Sequence, residues 1–210
     1  MHVDHAPAAS AVLASLDVLE QTLGGLRDED LLAASRCRGW TAGDVLAHVH
    51  LGLQEMLLGL VSPTTTEPAD SDAAAYWRGE AAAGGDAAAR TAQVRFVRLL
   101  ASAYRDPTGL VTHTLPTLGA VRSVVTTLAP GRLAFQGQVL GTGDFLATWA
   151  CELAVHQLDV GPELDVPAPD PGALRIARAT GEALDAARGS ALARAADTAA
   201  VLALWRHPGG

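Results

Sequence analysis

Glu152 and His156 stand four residues apart in the stretch DFLATWACELAVHQLD, Asp144 to Asp159, within an otherwise largely apolar segment. On a helix, residues i and i+4 share a face, so this carboxylate and imidazole project together, with Phe145 and Trp149 earlier on the same stripe. A carboxylate aimed at a core is costly unless a proton, a cationic partner or a metal ion accompanies it. A bound divalent cation is one reading of the pair. The other is an ordinary Glu–His hydrogen bond on a half-exposed helix face. Asp159, about one turn beyond His156, either ends the helix in solvent or accepts a hydrogen bond from the second ring nitrogen, as ligating histidines commonly require.

A third candidate lies far upstream. Thr41-Ala-Gly-Asp44 is a capping-box-like start, which predicts a helix from about Ala42 to Leu60 with the stripe Val45, Leu46, Val49, Leu53, Met56 and Leu60. His48 and His50 fall about 200° apart on that helix, each at an edge of the stripe, so at most one can face a shared site. Gly52, one turn after His48, leaves room beside that imidazole and favours it. Periodicity alone leaves the choice open, and a half-buried ring bonded to solvent or backbone is the plainer reading of either.

Composition bounds the rest. The 210 residues are 49% hydrophobic but only 4% aromatic, and the surplus is alanine, which favours closely packed helices. This length suits a single domain over 1–210, with its core at about 8–161 and C-terminal helices at about 170–206. All fifteen basic residues are arginine, scattered along a chain of net charge −8, which argues against nucleic acid as a partner. No run approaches the roughly eighteen apolar residues of a membrane span, and the start MHVDHAPAAS lacks a basic n-region and an apolar h-region, so a cytoplasmic protein is expected. Two cysteines, Cys37 and Cys151, are too few for a disulfide framework and lack metal-site spacing. Reduced thiols fit them, with Cys151 as a small helix-packing residue.

Taken in order, Val12, Leu16, Leu19 and Leu23 predict an amphipathic helix from about Ala8 to Leu23, ended by Gly24-Gly25. His2 and His5 precede it in a stretch expected to be mobile and without a role. Ser62 to Asp72 reads as a polar loop, and Ala73 to Ala83 as a short helix carrying Tyr76 and Trp77. Gly84-Gly85-Asp86 breaks that helix and caps one running to about Arg105, before Pro107. β-Branched residues then gather in LVTHTLPT, VRSVVTTL and RLAFQGQVL; the last two are expected to pair as a hairpin, with a helical turn the alternative for Ala120 to Leu128. His113 is expected to be an exposed loop or strand residue. Asp170-Pro171 starts a helix to about Arg188, and a last helix spans about Asp197 to Arg206, bringing in Trp205 before the frayed end HPGG. Arg78, Arg95 and Arg122 are unranked candidates for holding an anionic group.

The string CRGWTAGDVLAHVH, a tryptophan before a capped helix with histidine in its second turn, is followed about a hundred residues later by ELAVHQLD. Together these resemble the mycothiol-dependent maleylpyruvate isomerase family, part of the DinB-like metal-binding four-helix bundles, in a layout covering about Ala8 to Gly161. The resemblance implies a mainly α fold, a DinB-like four-helix bundle, to which the residue patterns above add a small β-hairpin and two extra C-terminal helices. It implies His48, Glu152 and His156 as ligands of a divalent metal, zinc by family habit, through which catalysis would run. It further implies mycothiol as cosubstrate beside a small electrophilic substrate, and pairing as a homodimer. Longer members add a C-terminal α+β domain not present in this sequence, so the implication reaches the metal and the thiol rather than the maleylpyruvate reaction itself. Three protein ligands leave a coordination position open, the mark of a catalytic metal. A thiol there gives a transferase or isomerase, and a water gives a hydrolase. A non-catalytic metal- or ligand-binding stress protein is the remaining alternative.

Overall fold

A helix that is apolar on every side has to be surrounded, and Thr142–Val160 is. In the computed structural model, which describes residues 1–83, 87–161, 164–186 and 191–206, every residue of this helix except Glu152 and Leu158 is buried. The described elements in chain order are α1 (His5–Gly25), α2 (Asp28–Leu31), α3 (Ala42–Leu60), α4 (Ala73–Ala83), α5 (Ala87–Ala101), α6 (Gly109–Thr127), β1 (Arg132–Phe135), β2 (Gln138–Gly141), α7 (Thr142–Val160), α8 (Pro171–Leu184) and α9 (Asp197–Trp205). The protein is mainly α with one small antiparallel hairpin.

Helices α1, α3, α6 and α7 form a four-helix arrangement: α7 packs on α1 and α3, and α6 packs on the same two. Leu16, Leu23, Leu46, Leu53, Met56 and Phe145 are among its fully buried side chains. Each such burial stabilises by about 1.5–3 kcal/mol before entropy is counted. Gly59 lets α3 approach α7, since a Cβ there would lie 2.5 Å from the Phe145 ring. Helices α8 and α9 cover α7 from the other side, and α5 packs on α3. No helix among the described residues is long and apolar enough to cross a membrane.

Helix α3 has the predicted bounds, and its predicted stripe is buried throughout. Helix α1 runs through both glycines and ends only where Leu26 becomes extended. Helices α5 and α8 stop at Ala101 and Leu184, short of the expected Arg105 and Arg188. Gly84-Gly85-Asp86 and the terminal HPGG lie outside the described residues. The largest correction concerns VRSVVTTL. It is not a strand but helix, the alternative held for Ala120 to Leu128, and it forms the second half of α6, which extends through Pro116 and places His113 on a helix. Pro116 is exposed, so the helix carbonyl it leaves without a donor can be hydrated, while Leu110, Thr114, Leu118, Val121 and Val125 form the buried stripe.

The hairpin is built within RLAFQGQVL instead, pairing Phe135 with Gln138 across Gln136-Gly137. Both turn residues have positive φ, 48° and 77°, as a two-residue turn matching the twist of the strands requires. The N-terminus corrects a second expectation, for it is tied down. The Met1 ammonium lies 2.7 Å from Asp72, His2 Nδ1 lies 2.9 Å from Asp144, the Val3 amide donates to Asp144, and His5 Nδ1 lies 2.9 Å from the Thr142 hydroxyl.

Candidate metal centre

Helix α3 starts where Thr41 caps it. The Thr41 hydroxyl accepts from the Asp44 amide at 3.1 Å, and the Asp44 carboxylate accepts from the Thr41 amide at 2.9 Å. The loop before this cap is fastened to the last turn of α7. The Arg36 amide donates to the Asp159 carbonyl at 3.0 Å, and Arg36 Nε donates to the Leu158 carbonyl at 2.9 Å. An arginine thus fills carbonyl acceptors that the end of a helix leaves open. Through this contact the two sequence motifs are held in register by backbone as well as by side chains.

His48 on α3 meets Glu152 and His156 on α7, and one ligand atom from each lies within 4.8 Å of the others. His156 Nε2 is 2.8 Å from a Glu152 carboxylate oxygen, and the His48 and His156 ring centroids are 4.8 Å apart, nearly edge to face. The other nitrogen, Nδ1, donates to Asp159 at 3.0 Å. Asp159 is fully buried and is clasped in turn by Arg206, whose Nε donates to it at 3.0 Å and whose terminal nitrogen also bonds it. Trp40 packs against His48 with ring centroids 5.6 Å apart.

This donor set fits a divalent cation. A tetrahedral ion with bonds of about 2.0–2.2 Å asks for two imidazole nitrogens and a carboxylate oxygen a few ångströms apart. With Asp159 fixing Nδ1, His156 directs Nε2 toward the other two donors, as a carboxylate–histidine–metal arrangement needs. A second set, Cys37, His156 and Asp159, also has ligand atoms within 4.8 Å, but there Asp159 is already engaged by Arg206 and by the ring.

Electrostatics divides the two histidines. Burial lowers His48 to a pKa of about 4, with the neighbouring His156 charge adding to the effect, so the ring is neutral at pH 7. Burial acts the same way on His156, yet the carboxylates of Glu152 and Asp159 outweigh it and hold this ring well above 6.5. Without a cation, His156 therefore donates from both nitrogens as an imidazolium. Burial would raise Asp159, but hydrogen bonds from His156 and Arg206 bring it down to about 2. Burial would raise Glu152 likewise, and His156 turns the net shift downward.

Glu152 is deeply set but keeps 29% of its side chain exposed because it lines a cavity of about 480 Å3. His48 and His156 share that floor. The walls come from α3, α4, α5, α7 and the hairpin turn, and they are largely aromatic and aliphatic. A smaller hollow of about 110 Å3 shares Trp77, Glu152 and His156 with this cavity and is lined in addition by Trp205 and Arg206.

The structure brings together all four residues singled out from sequence: His48, Glu152, His156 and Asp159. His50 faces away, with its ring 4.5 Å from that of His113. The space at Gly52 is taken by Trp149, 3.1 Å from where a Cβ would stand, and not by the His48 imidazole. Arg78 donates to the Ala183 carbonyl, Arg122 binds Asp17 and Glu20 on α1, and Arg95 is exposed; none of the three lines the cavity. Arg206 and Cys37 escaped sequence reasoning, since they reach the site only through contacts across 47 and 119 residues. Cys151 is buried as a packing residue, its thiol near Thr180.

Fold and site define a helical-bundle protein whose cavity floor carries a two-histidine, one-glutamate cluster. Residues 12–161 match the family described as mycothiol maleylpyruvate isomerase N-terminal domain, and the chain belongs to that family. No curated protein and no solved structure matched it. The match ends at the close of α7, so α8, α9 and Arg206 lie beyond it.

Proposed function

We propose that the protein is a metal-dependent enzyme that joins a low-molecular-weight thiol of the mycothiol kind to a small electrophile, as a transferase or as a thiol-assisted isomerase. The observation that carries this reading is the convergence of His48, Glu152 and His156 at the floor of a cavity, with Asp159 holding the second nitrogen of His156. Family membership supports the thiol. His48, Glu152 and His156 would hold the cation, with zinc the best match to two nitrogens and one carboxylate. When bound, the cation supplies Lewis acidity that favours the thiolate form of a thiol at neutral pH.

The remaining work falls to side chains. His48 is neutral and needs to lose no proton to act as a ligand. His156 would present Nε2 to the cation as a neutral imidazole, and Asp159 keeps the ring oriented through Nδ1. Trp77 and Trp149 line the cavity with apolar ring surface beside the cluster. The open coordination position that three protein ligands leave would equally accept water, which makes metal-assisted hydrolysis the second reading.

The test is metal analysis of protein purified without chelator or histidine tag, followed by thermal shift with and without mycothiol. Bound zinc, and stabilisation by the thiol that disappears in His156→Ala, are expected. Zinc without any response to thiol favours hydrolysis, and absence of both leaves a binding protein without turnover.

A further inference from the structure

His50 is the most deeply buried polar side chain of α3, with 1% of its surface exposed, and its Nδ1 has no hydrogen-bond partner among the described residues. A buried ring nitrogen without a partner is costly, and it marks a place where a water or an ion completes the structure. The other nitrogen, Nε2, is engaged: it lies 3.2 Å from the side-chain amide of Gln54, one turn further along the helix. An amide presents either an N–H or an oxygen. With the oxygen turned to the ring, Nε2 keeps its proton and donates it, and Nδ1 is left with a free lone pair.

A second imidazole meets the first across the seam between α3 and α6. The His113 ring centroid is 4.5 Å from that of His50, with the ring planes tilted by 49°. His113 is exposed, and its Nδ1 lies 2.5 Å from the hydroxyl of Tyr104, in the loop that follows α5. Each ring is thus held through one nitrogen by a neighbouring side chain, His50 by Gln54 and His113 by Tyr104, and each keeps its other nitrogen for a further partner. Ligating histidines are built this way, with one nitrogen oriented by an outer contact and the other on the ion.

The separation of the rings also selects a geometry. Two imidazoles bonded at about 2.0 Å to one ion have centroids about 4.5 Å apart at a right angle and about 5.2 Å apart at the tetrahedral angle. The right angle belongs to a tetragonal field of nitrogens and oxygens, which copper(II) and nickel(II) favour, whereas zinc takes the tetrahedral one. The exposed side of His113 gives the ion a path in and lets water fill the remaining positions.

We propose that His50 and His113 form a second cation site, for copper(II) or nickel(II), separate from the cluster of His48, Glu152 and His156. An ion there joins α6 to α3. Gln54, which orients the inner ring, also lines the large cavity, so the same ion steadies part of that wall. The site stands whether or not the protein uses zinc and a thiol.

His156→Ala removes a ligand of the other cluster, so copper(II) titration of this variant reports on the new site. Electron paramagnetic resonance counts the ligating nitrogens, and thermal unfolding reads the link between the helices. The comparison is the double variant His156→Ala/His113→Ala, in which the second change is at an exposed position and leaves the core intact. His156→Ala is expected to bind copper with hyperfine splitting from two imidazole nitrogens and to melt at a higher temperature with copper than without. In the double variant that binding should weaken at least about tenfold, the two-nitrogen splitting should vanish, and copper should no longer raise the melting temperature. The same splitting and affinity in the double variant would mean an adventitious ion only, and absence of a two-nitrogen signal in His156→Ala would equally overturn the assignment.

Discussion

Arg206 holds Asp159 from the C-terminal end of the chain, and Asp159 holds Nδ1 of His156. The orientation of a candidate metal ligand on α7 is therefore set in part by a residue beyond the family match. Asp159→Asn keeps the shape but weakens the acceptor, and a reduction of zinc affinity by about 10–100-fold is expected with little change in helix content. Competition titration against a chromophoric chelator measures the first and far-ultraviolet circular dichroism the second. Arg206→Gln should lower affinity in the same direction by a smaller factor.

The raised pKa of His156 makes the metal-free protein sensitive to pH. A group with a folded pKa above its unfolded value of 6.5 stabilises fully below 6.5, and that contribution is lost as pH rises through the folded value. The melting temperature of metal-free protein should fall across that window, and the fall should be absent in His156→Gln. Zinc competes with the same proton, so the increase in melting temperature on adding zinc should grow over the window where the metal-free protein weakens. Scanning calorimetry from pH 5 to about pH 9, with and without zinc, gives both curves.

Burial pushes the Cys151 thiol up to about 12, with the hydrogen bond to Thr180 opposing only part of the shift. The thiolate is the reactive form, so Cys151 should resist iodoacetamide in the native protein and become labelled only on unfolding. Mass spectrometry of the labelled peptides distinguishes it from Cys37, which is half-buried in the loop before α3.

Gly59 is required by the approach of two helices. In Gly59→Ala the added carbon meets the Phe145 ring at 2.5 Å, and Phe145 is fully enclosed and cannot step aside. Overpacking outweighs the helix-propensity gain of alanine, and a net loss of about 1–2 kcal/mol is expected in urea unfolding.

Where local chemistry decided the structure, the sequence was readable. The Thr41–Asp44 box and the apolar spacing of α3 marked that helix from end to end, and the i, i+4 relation of Glu152 and His156 set their common face. α6 was misread in part because its β-branched residues suggested strand, while the burial period through Leu110, Thr114, Leu118, Val121 and Val125 is helical and was the better signal. Tertiary burial overrode propensity there. The choice of His48 over His50 came from family resemblance, since each stood at an edge of the stripe. Arg206, Cys37 and the anchored N-terminus depend on contacts between residues far apart in sequence, and no local spacing announces them.

The central claim is that His48, Glu152 and His156 bind one cation together. Anomalous diffraction at the zinc absorption edge, from crystals grown with zinc, tests it most directly. The account predicts one strong peak about 2.0–2.2 Å from a nitrogen of His48, Nε2 of His156 and a carboxylate oxygen of Glu152. A peak elsewhere, or one at this site with the His48 ring turned away from it, would contradict it.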